Sequence, residues 1–166
     1  MPLAGKIMLN LSWVALLGLL TLFFAHQQAK RQNPNQELSS VRRDGYNEIT
    51  LKRNPQYHYL ANGFINGKEV TFLIDTGASD VAVPASLARQ LKLTPGESGF
   101  MHTANGTVEV RRTQIDKLQL GSIELRNVDA SINPGMQGDE VLLGMTFLRH
   151  LEFSQKNGEL TIKQSN

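Results

Sequence analysis

The chain has 166 residues and a mass of 18.4 kDa, with 40% hydrophobic residues, 19% charged residues and no cysteine. That length holds one domain of about 100–150 residues plus an appendage, so a two-lobed enzyme of several hundred residues is excluded; the lack of cysteine removes disulfide frameworks, thiolate nucleophiles and cysteine-ligated metal sites. The net charge of +2 (pI ≈ 9.0) is local, because residues 1–45 carry five Lys/Arg against two acids and residues 46–166 carry twelve against thirteen.

From Ile7 to Ala25 no residue is charged, and Asn10 and Ser12 are the notably polar ones. At about 1.5 Å per residue a helix over this stretch spans roughly 28 Å, close to the bilayer's hydrocarbon thickness of about 30 Å. Residues 1–26 are therefore expected to be a transmembrane anchor that meets membrane lipid through residues 7–25. The alternative is a cleaved signal peptide, which needs a shorter apolar region of about 7–15 residues and small residues at an A-x-A-like site. Here Phe23 stands two before Ala25, and Gln27 two before Ala29. Lys6 flanks one side, and Lys30, Arg31, Arg42 and Arg43 the other. Taken literally, the positive-inside rule keeps the carboxy-terminal domain in the cytoplasm. Residues 27–45 read as a flexible juxtamembrane linker, rich in Gln, Asn, Ser and Arg and without apolar periodicity. Its basic residues suit anionic headgroups.

Residues 46–166 change texture to short apolar runs broken by turn pairs. Tyr57 to Ile65, Asn66-Gly67 and Glu69 to Ile74 form a hairpin signal, since Asn-Gly accepts the positive φ of a two-residue turn. Further strands are expected at Thr107 to Thr113, Gln114 to Leu120, Ile123 to Ala130, Val141 to Leu143, Leu151 to Phe153 and Leu160 to Lys163. Asn105-Gly106, Gly121-Ser122 and Asn157-Gly158 supply turns. Short, closely spaced strands indicate an all-β barrel or sandwich. Two helical turns interrupt it, at Pro84 to Leu91 and at Met145 to His150.

The sharpest chemical feature is Phe72-Leu73-Ile74-Asp75-Thr76-Gly77-Ala78-Ser79, an apolar strand that ends in a carboxylate, a hydroxyl and a glycine. Such an Asp is held where ionisation is costly unless hydrogen bonds support it, and Gly77 lets backbone amides approach it. Taken alone, the tripeptide is better accounted for by a plain Asx turn capping a strand.

In order along the chain, Asn66-Gly67, the Phe72 to Ser79 block, the helix at Pro84, Thr103-Ala104-Asn105-Gly106 and Leu142-Leu143-Gly144-Met145-Thr146-Phe147-Leu148 resemble the retropepsin-like aspartic proteases, in particular their small bacterial membrane-anchored members. The likeness covers most of residues 57–163. It implies a closed β-barrel with one or two short helices behind the transmembrane helix, and a peptidase that uses no metal or other cofactor. Aspartic proteases share one proton between two carboxylates, because like charges about 3 Å apart cannot both ionise. With a single Asp-Thr-Gly and 121 residues in the folded part, the resemblance implies a homodimer with Asp75 from each copy on a two-fold axis. Thr76, Gly77, Ala78 and Ser79 then form the active-site loop, and Thr76 bonds across the axis. Thr103, Ala104, Asn105 and Gly106 form a substrate-covering flap, while Leu143 and Gly144 support the loop from beneath. Phe100, Met101 and Ala104 serve equally well as apolar wall or flap residues or as ordinary strand packing. Ala78 fits the retropepsin pattern, whereas one glycine in the flap, Gly106, is fewer than viral enzymes carry. The substrate is a peptide or protein.

Other motifs are weaker. Gly63 to Lys68 lacks phosphate-loop spacing, since three residues separate its glycines and Glu69 stands where Ser or Thr is required. His26, His58, His102 and His150 have no ligand spacing, and Asp75 with Ser79 and Asp80 makes no calcium loop. Arg111-Arg112 and Lys52-Arg53 lack interleaved aromatics, so nucleic acid is not an expected partner. Asp139-Glu140 reads as a solvated turn. The rival to an enzyme is a peptide-binding module of the same fold that grips a strand without cutting it; an inactive monomer at the membrane is a third reading. The resemblance points to a bacterial inner membrane, with the domain periplasmic or cytoplasmic.

Overall fold

The computed structural model describes residues 3–43, 45–103 and 106–165. Helix α1 (Leu3–Gln32) outruns the expected span by a turn or more at its carboxy-terminal end. It is apolar on every side, and Leu22 and Phe24 are 70% and 63% exposed. Its hydroxyls turn inward, Ser12 Oγ donating to the Met8 carbonyl at 2.9 Å and Thr21 Oγ1 to that of Leu17 at 2.8 Å. By length and composition this helix can cross a bilayer.

Beyond α1 the chain builds two sheets. The smaller is antiparallel, with strands β1 (Ser40–Arg43), β2 (Tyr46–Lys52), β10 (Glu152–Lys156) and β11 (Glu159–Ser165) in the order β1-β2-β11-β10. The larger has the order β3-β4-β9-β5-β8-β7-β6. Its strands are β3 (Tyr59–Ile65), β4 (Lys68–Ile74), β5 (Val81–Pro84), β6 (Ser98–Thr103), β7 (Gly106–Leu120), β8 (Ile123–Asn133) and β9 (Glu140–Leu143). β3 also pairs with β7 through Phe64↔Gln119 and Ile65↔Leu118, which rolls this sheet back onto itself. Two single-turn helices, α2 (Ala85–Ala88) and α3 (Met145–Leu148), pack on it. Beyond α1 the fold is mostly β.

Strand alternation explains the core. Val70, Phe72 and Ile74 of β4 point inward, as do Ile49 and Leu51 of β2 and Leu160 and Ile162 of β11, and with Ile115, Leu118, Phe147 and Leu148 they form one cluster. Asn66-Gly67 (φ 50° and 77°) and Asn157-Gly158 (φ 52° and 82°) have both central residues at positive φ, the twist a two-residue hairpin turn requires.

Several elements depart from expectation. Thr107 to Leu120 is one continuous strand, since nothing between Thr113 and Gln114 breaks it. Pro84 ends β5 instead of opening a helix over 84–91, and α2 keeps only four residues. The other helix stops at Leu148, short of His150. Strands β1, β2, β5 and β6 were not expected, because three are short or lack alternation, and β2 buries a polar residue, Asn47, beside Ile49 and Leu51.

Within residues 27–45, α1 continues to Gln32 and a buried asparagine joins the two sheets. Asn35 Nδ2 donates to the Lys52 carbonyl of β2 at 2.8 Å and to the Leu60 carbonyl of β3 at 2.6 Å, while its Oδ1 accepts from Lys52 N at 2.7 Å. Asn33 Oδ1 accepts in turn from the Asn35 amide at 3.0 Å. Removing such a side chain strands three backbone groups. Asn35→Ala should therefore cost about 2–3 kcal/mol of stability, read as a lower urea midpoint at unchanged m-value.

Candidate active site

Strand order explains why residues 75–80 have their shape. β4 and β5 both border β9, β4 in parallel (Ile74↔Leu143) and β5 antiparallel (Val81↔Leu143). The chain leaving β4 must therefore arch over the carboxy-terminal end of β9 to enter β5. Asp75 opens the arch and Gly144 lies beneath it.

Hydrogen bonds hold the arch at both feet. Asp75 N donates to Leu143 O at 3.1 Å, and Asp75 Oδ1 accepts from Gly77 N at 2.9 Å. From below, Gly144 N donates to Asp80 O at 3.1 Å, Met145 N to Ala78 O at 2.8 Å and Thr146 N to Ser79 O at 2.9 Å. Thr146 Oγ1 adds bonds to Ser79 O at 3.0 Å and to Asp80 Oδ1 at 3.3 Å. Asp75, Thr76, Gly77 and Ser79 are exposed and Ala78 is half-buried, whereas Leu143 and Gly144 are buried. The arch thus presents a carboxylate on a rigid base, open to whatever approaches it.

Two hollows flank the arch. One, of about 290 Å³, is lined by Asp75, Thr76, Tyr57, His58, Tyr59 and Gln155 among others. The other, of about 410 Å³, lies between the far foot of the arch (Asp80, Thr146) and the β6–β7 hairpin (Phe100, Met101, Val110, Arg112). Thr103 and Gly106 are the last paired residues of that hairpin, and Thr103 Oγ1 donates to Gly106 O at 2.8 Å. Ala104 and Asn105 lie outside the described residues. Phe100 is 78% exposed and Met101 half-buried.

The model of the family described as "gag-polyprotein putative aspartyl protease" matches residues 61–150, from β3 through α3. The chain belongs to this aspartyl protease family. A crystal structure of a retropepsin-like aspartic protease from Rickettsia conorii matches with a TM-score of 0.62 and 24% identity, over 78% of this chain and 97% of that one. Among curated sequences, a Sinorhizobium protein from the cobV 5' region is 31% identical over 124 residues, covering 72% of this chain and 53% of its own length. A Rickettsia prowazekii protein is 27% identical over 118 residues, covering 69% and 50%. Both relatives are uncharacterised, and the chain spans about half of their length.

Within the aspartyl protease frame, the structure gathers Asp75, Thr76, Gly77, Ala78 and Ser79 on one arch over Leu143 and Gly144. Across the larger hollow from the arch's far foot stand Phe100 and Met101, whereas Thr103 and Gly106, further along the same hairpin, do not line it. Asp139 is elsewhere, lining a separate hollow with Asn62 and Glu69, and Glu140 opens β9 opposite Thr71. Thr146 and Asp80 were missed as arch supports. A lone hydroxyl in the apolar run Leu142 to Leu148 was the available signal for Thr146. Arg112, passed over as one of a charged pair, lines the hollow beneath the hairpin, as does Asp129. Among the described residues, no group of three or more His, Asp or Glu side chains is placed to hold a metal ion.

Proposed function

We propose that this chain is a membrane-anchored aspartic endopeptidase, with an anchor at residues 1–26, a juxtamembrane segment at 27–45 and a protease domain at 46–166. It acts as a homodimer in which two Asp75 carboxylates activate a water. One observation carries the reading: Asp75 is exposed at the head of an arch whose backbone bonds run to its own support, so its carboxylate is available to a second copy. In the pair, one ionised Asp75 takes a proton from water while the other, protonated, polarises the scissile carbonyl. Thr76 bonds across the axis, and the β6–β7 hairpin covers the peptide. The chemistry draws on no metal or cofactor. A planar membrane concentrates the anchored copies, so that a weak dimer suffices.

Sharing one proton sets the pH dependence. The shared proton must be present, so the rate is expected to be highest in mildly acidic solution and to fall as pH rises and both carboxylates ionise. The full-length protein in detergent, assayed on a quenched peptide library, should show this fall; a flat rate from about pH 4 to 9 contradicts shared-proton chemistry. Peptide recovered intact from a tight complex would instead identify a binding module. The family resemblance supports a bacterial inner membrane as the anchor's location, and proteolytic shaving of spheroplasts would report whether the domain is periplasmic or cytoplasmic.

A further inference from the structure

The helix that can cross a bilayer does not end in a loose linker. Three buried asparagines, Asn33, Asn35 and Asn54, gather where α1 ends. The last turn of a helix leaves carbonyls without intrahelical partners. Here Asn54 Nδ2, from the loop between β2 and β3, donates to the Gln32 carbonyl at 2.9 Å. Asn33 N donates to Ala29 O at 3.0 Å, and Asn33 Nδ2 donates to Asn62 Oδ1 of β3 at 2.7 Å. With the bonds of Asn35 to Lys52 and Leu60, the end of α1 is tied to both β2 and β3.

The same loop reaches the candidate site. Asn54 Oδ1 accepts from Gln56 N at 3.0 Å and from His58 N at 2.9 Å, and Asn54 N donates to His58 O at 2.8 Å. Residues 54–58 are thereby closed into a tight loop, and Tyr57, His58 and Tyr59 line the hollow that holds Asp75. Tyr59 pairs with Ile74, the residue before Asp75. From Gln32 to Asp75 the path runs through one bonded side chain, this closed loop and one strand pairing, which together allow at most about 25 Å. Between Ala25, where the uncharged run ends, and Gln32 the helix rises about 10 Å.

We infer that the substrate is the membrane-proximal segment of a membrane protein, cut within about ten residues of that protein's own span. The inference rests on the anchored-protease reading above and names the class of substrate that reading takes. A domain on a slack tether samples bonds at any height above the bilayer. Here a continuous helix and three buried asparagines hold Asp75 no more than about 35 Å above the bilayer's apolar core, a height that an extended chain at about 3.3 Å per residue climbs in about ten residues. Confinement to one surface also raises the local concentration of such a segment. A bond far from the membrane, or in a soluble protein, has neither advantage.

The test places the full-length chain in lipid vesicles beside single-span proteins that carry one cleavable sequence, taken from the peptide library, at about 8 or about 30 residues from their span. The near site is expected to be cut at least about tenfold faster than the far one. A flexible Gly/Ser insert of about 12 residues after Ala25 keeps the Asn33, Asn35 and Asn54 bonds and frees the height of the domain. It should bring the two rates to within about twofold and leave hydrolysis of the soluble peptide unchanged. Height is read separately. Because the chain lacks cysteine, Gln155→Cys, in the lining of the Asp75 hollow, takes a single fluorophore. Its energy transfer to a headgroup-labelled lipid should be strong without the insert and weaker with it. Equal cutting of near and far sites by the chain without the insert, a near-site preference that survives the insert, or transfer that the insert leaves unchanged overturns the inference. Asp75-dependent hydrolysis of the soluble peptide then leaves the protease reading standing. Transfer that falls with the insert, in a chain that hydrolyses neither peptide nor protein, retires the protease reading and this substrate with it, and leaves only the fixed height.

Discussion

Asp75→Asn is expected to abolish peptide hydrolysis, lowering kcat by at least about 10³-fold, some 4 kcal/mol of barrier. The magnitude comes from the role. An amide neither takes a proton from water nor shares one with a twin carboxylate, so in the proposed homodimer one substitution would remove both catalytic groups at once. The fold should not notice. Asp75 is exposed, and its one bonded oxygen accepts from Gly77 N at 2.9 Å, a contact that the carbonyl oxygen of an Asn side chain can keep. The variant should melt at the wild-type temperature and sediment as the wild type does. Undiminished hydrolysis would move the chemistry to another residue, and unfolding would show that the carboxylate supports the arch as well as the reaction.

What was legible in the sequence, and what was not, divides along physical lines. Signals carried by consecutive residues survived. A run of apolar residues from Ile7 made α1 visible, Asn66-Gly67 placed a hairpin turn, and Phe72 to Asp75 marked an inward strand ending in a carboxylate. Signals that depend on partners distant in the chain did not survive. Asn35 looks like any solvated linker residue until β2 and β3 lie on either side of it, and its burial at 4% exposure is set by Lys52 and Leu60. The short β5 carries no alternation to mark it, and its last residue, Pro84, fits a helix start as well as a strand end, so only the pairing with β8 and β9 decides. β10 was visible only as Leu151 to Phe153, since Ser154, Gln155 and Lys156 gain their strand character from β11. Thr146 acts through main-chain atoms of Ser79, 67 residues earlier, a relation no local window contains.

Gly144→Ala tests the arch from below and should be the most damaging single-methyl change near the site. A Cβ there would stand 2.5 Å from Ala78 O, 2.5 Å from Asp80 O and 2.9 Å from Ala78 C, and all three are backbone atoms with no rotamer to yield. Backbone strain is not the reason, because Gly144 sits at φ −95° and ψ −161°, extended values open to any residue. The cost comes from contact. To admit the methyl group, β9 and the arch must separate, lengthening the bonds from Gly144 N to Asp80 O, Met145 N to Ala78 O and Thr146 N to Ser79 O together. Overpacking of this kind costs about 1–3 kcal/mol, and the loss of several bonds at once puts this case at the upper end. Gly18→Ala, inside α1 and with nothing within 4 Å of the added atom, meets no such clash and should not destabilise the protein. Activity should fall further than the folded fraction does. Asp75 N is tied to Leu143 O, the carbonyl just before Gly144, so any shift of β9 moves the carboxylate, and misplacing a reacting group by about 1 Å can cost 10²-fold. Hydrolysis measured well below the variant's melting temperature separates the two effects. A variant folded as tightly as wild type and equally active would show that the arch does not need the close backbone approach that glycine permits.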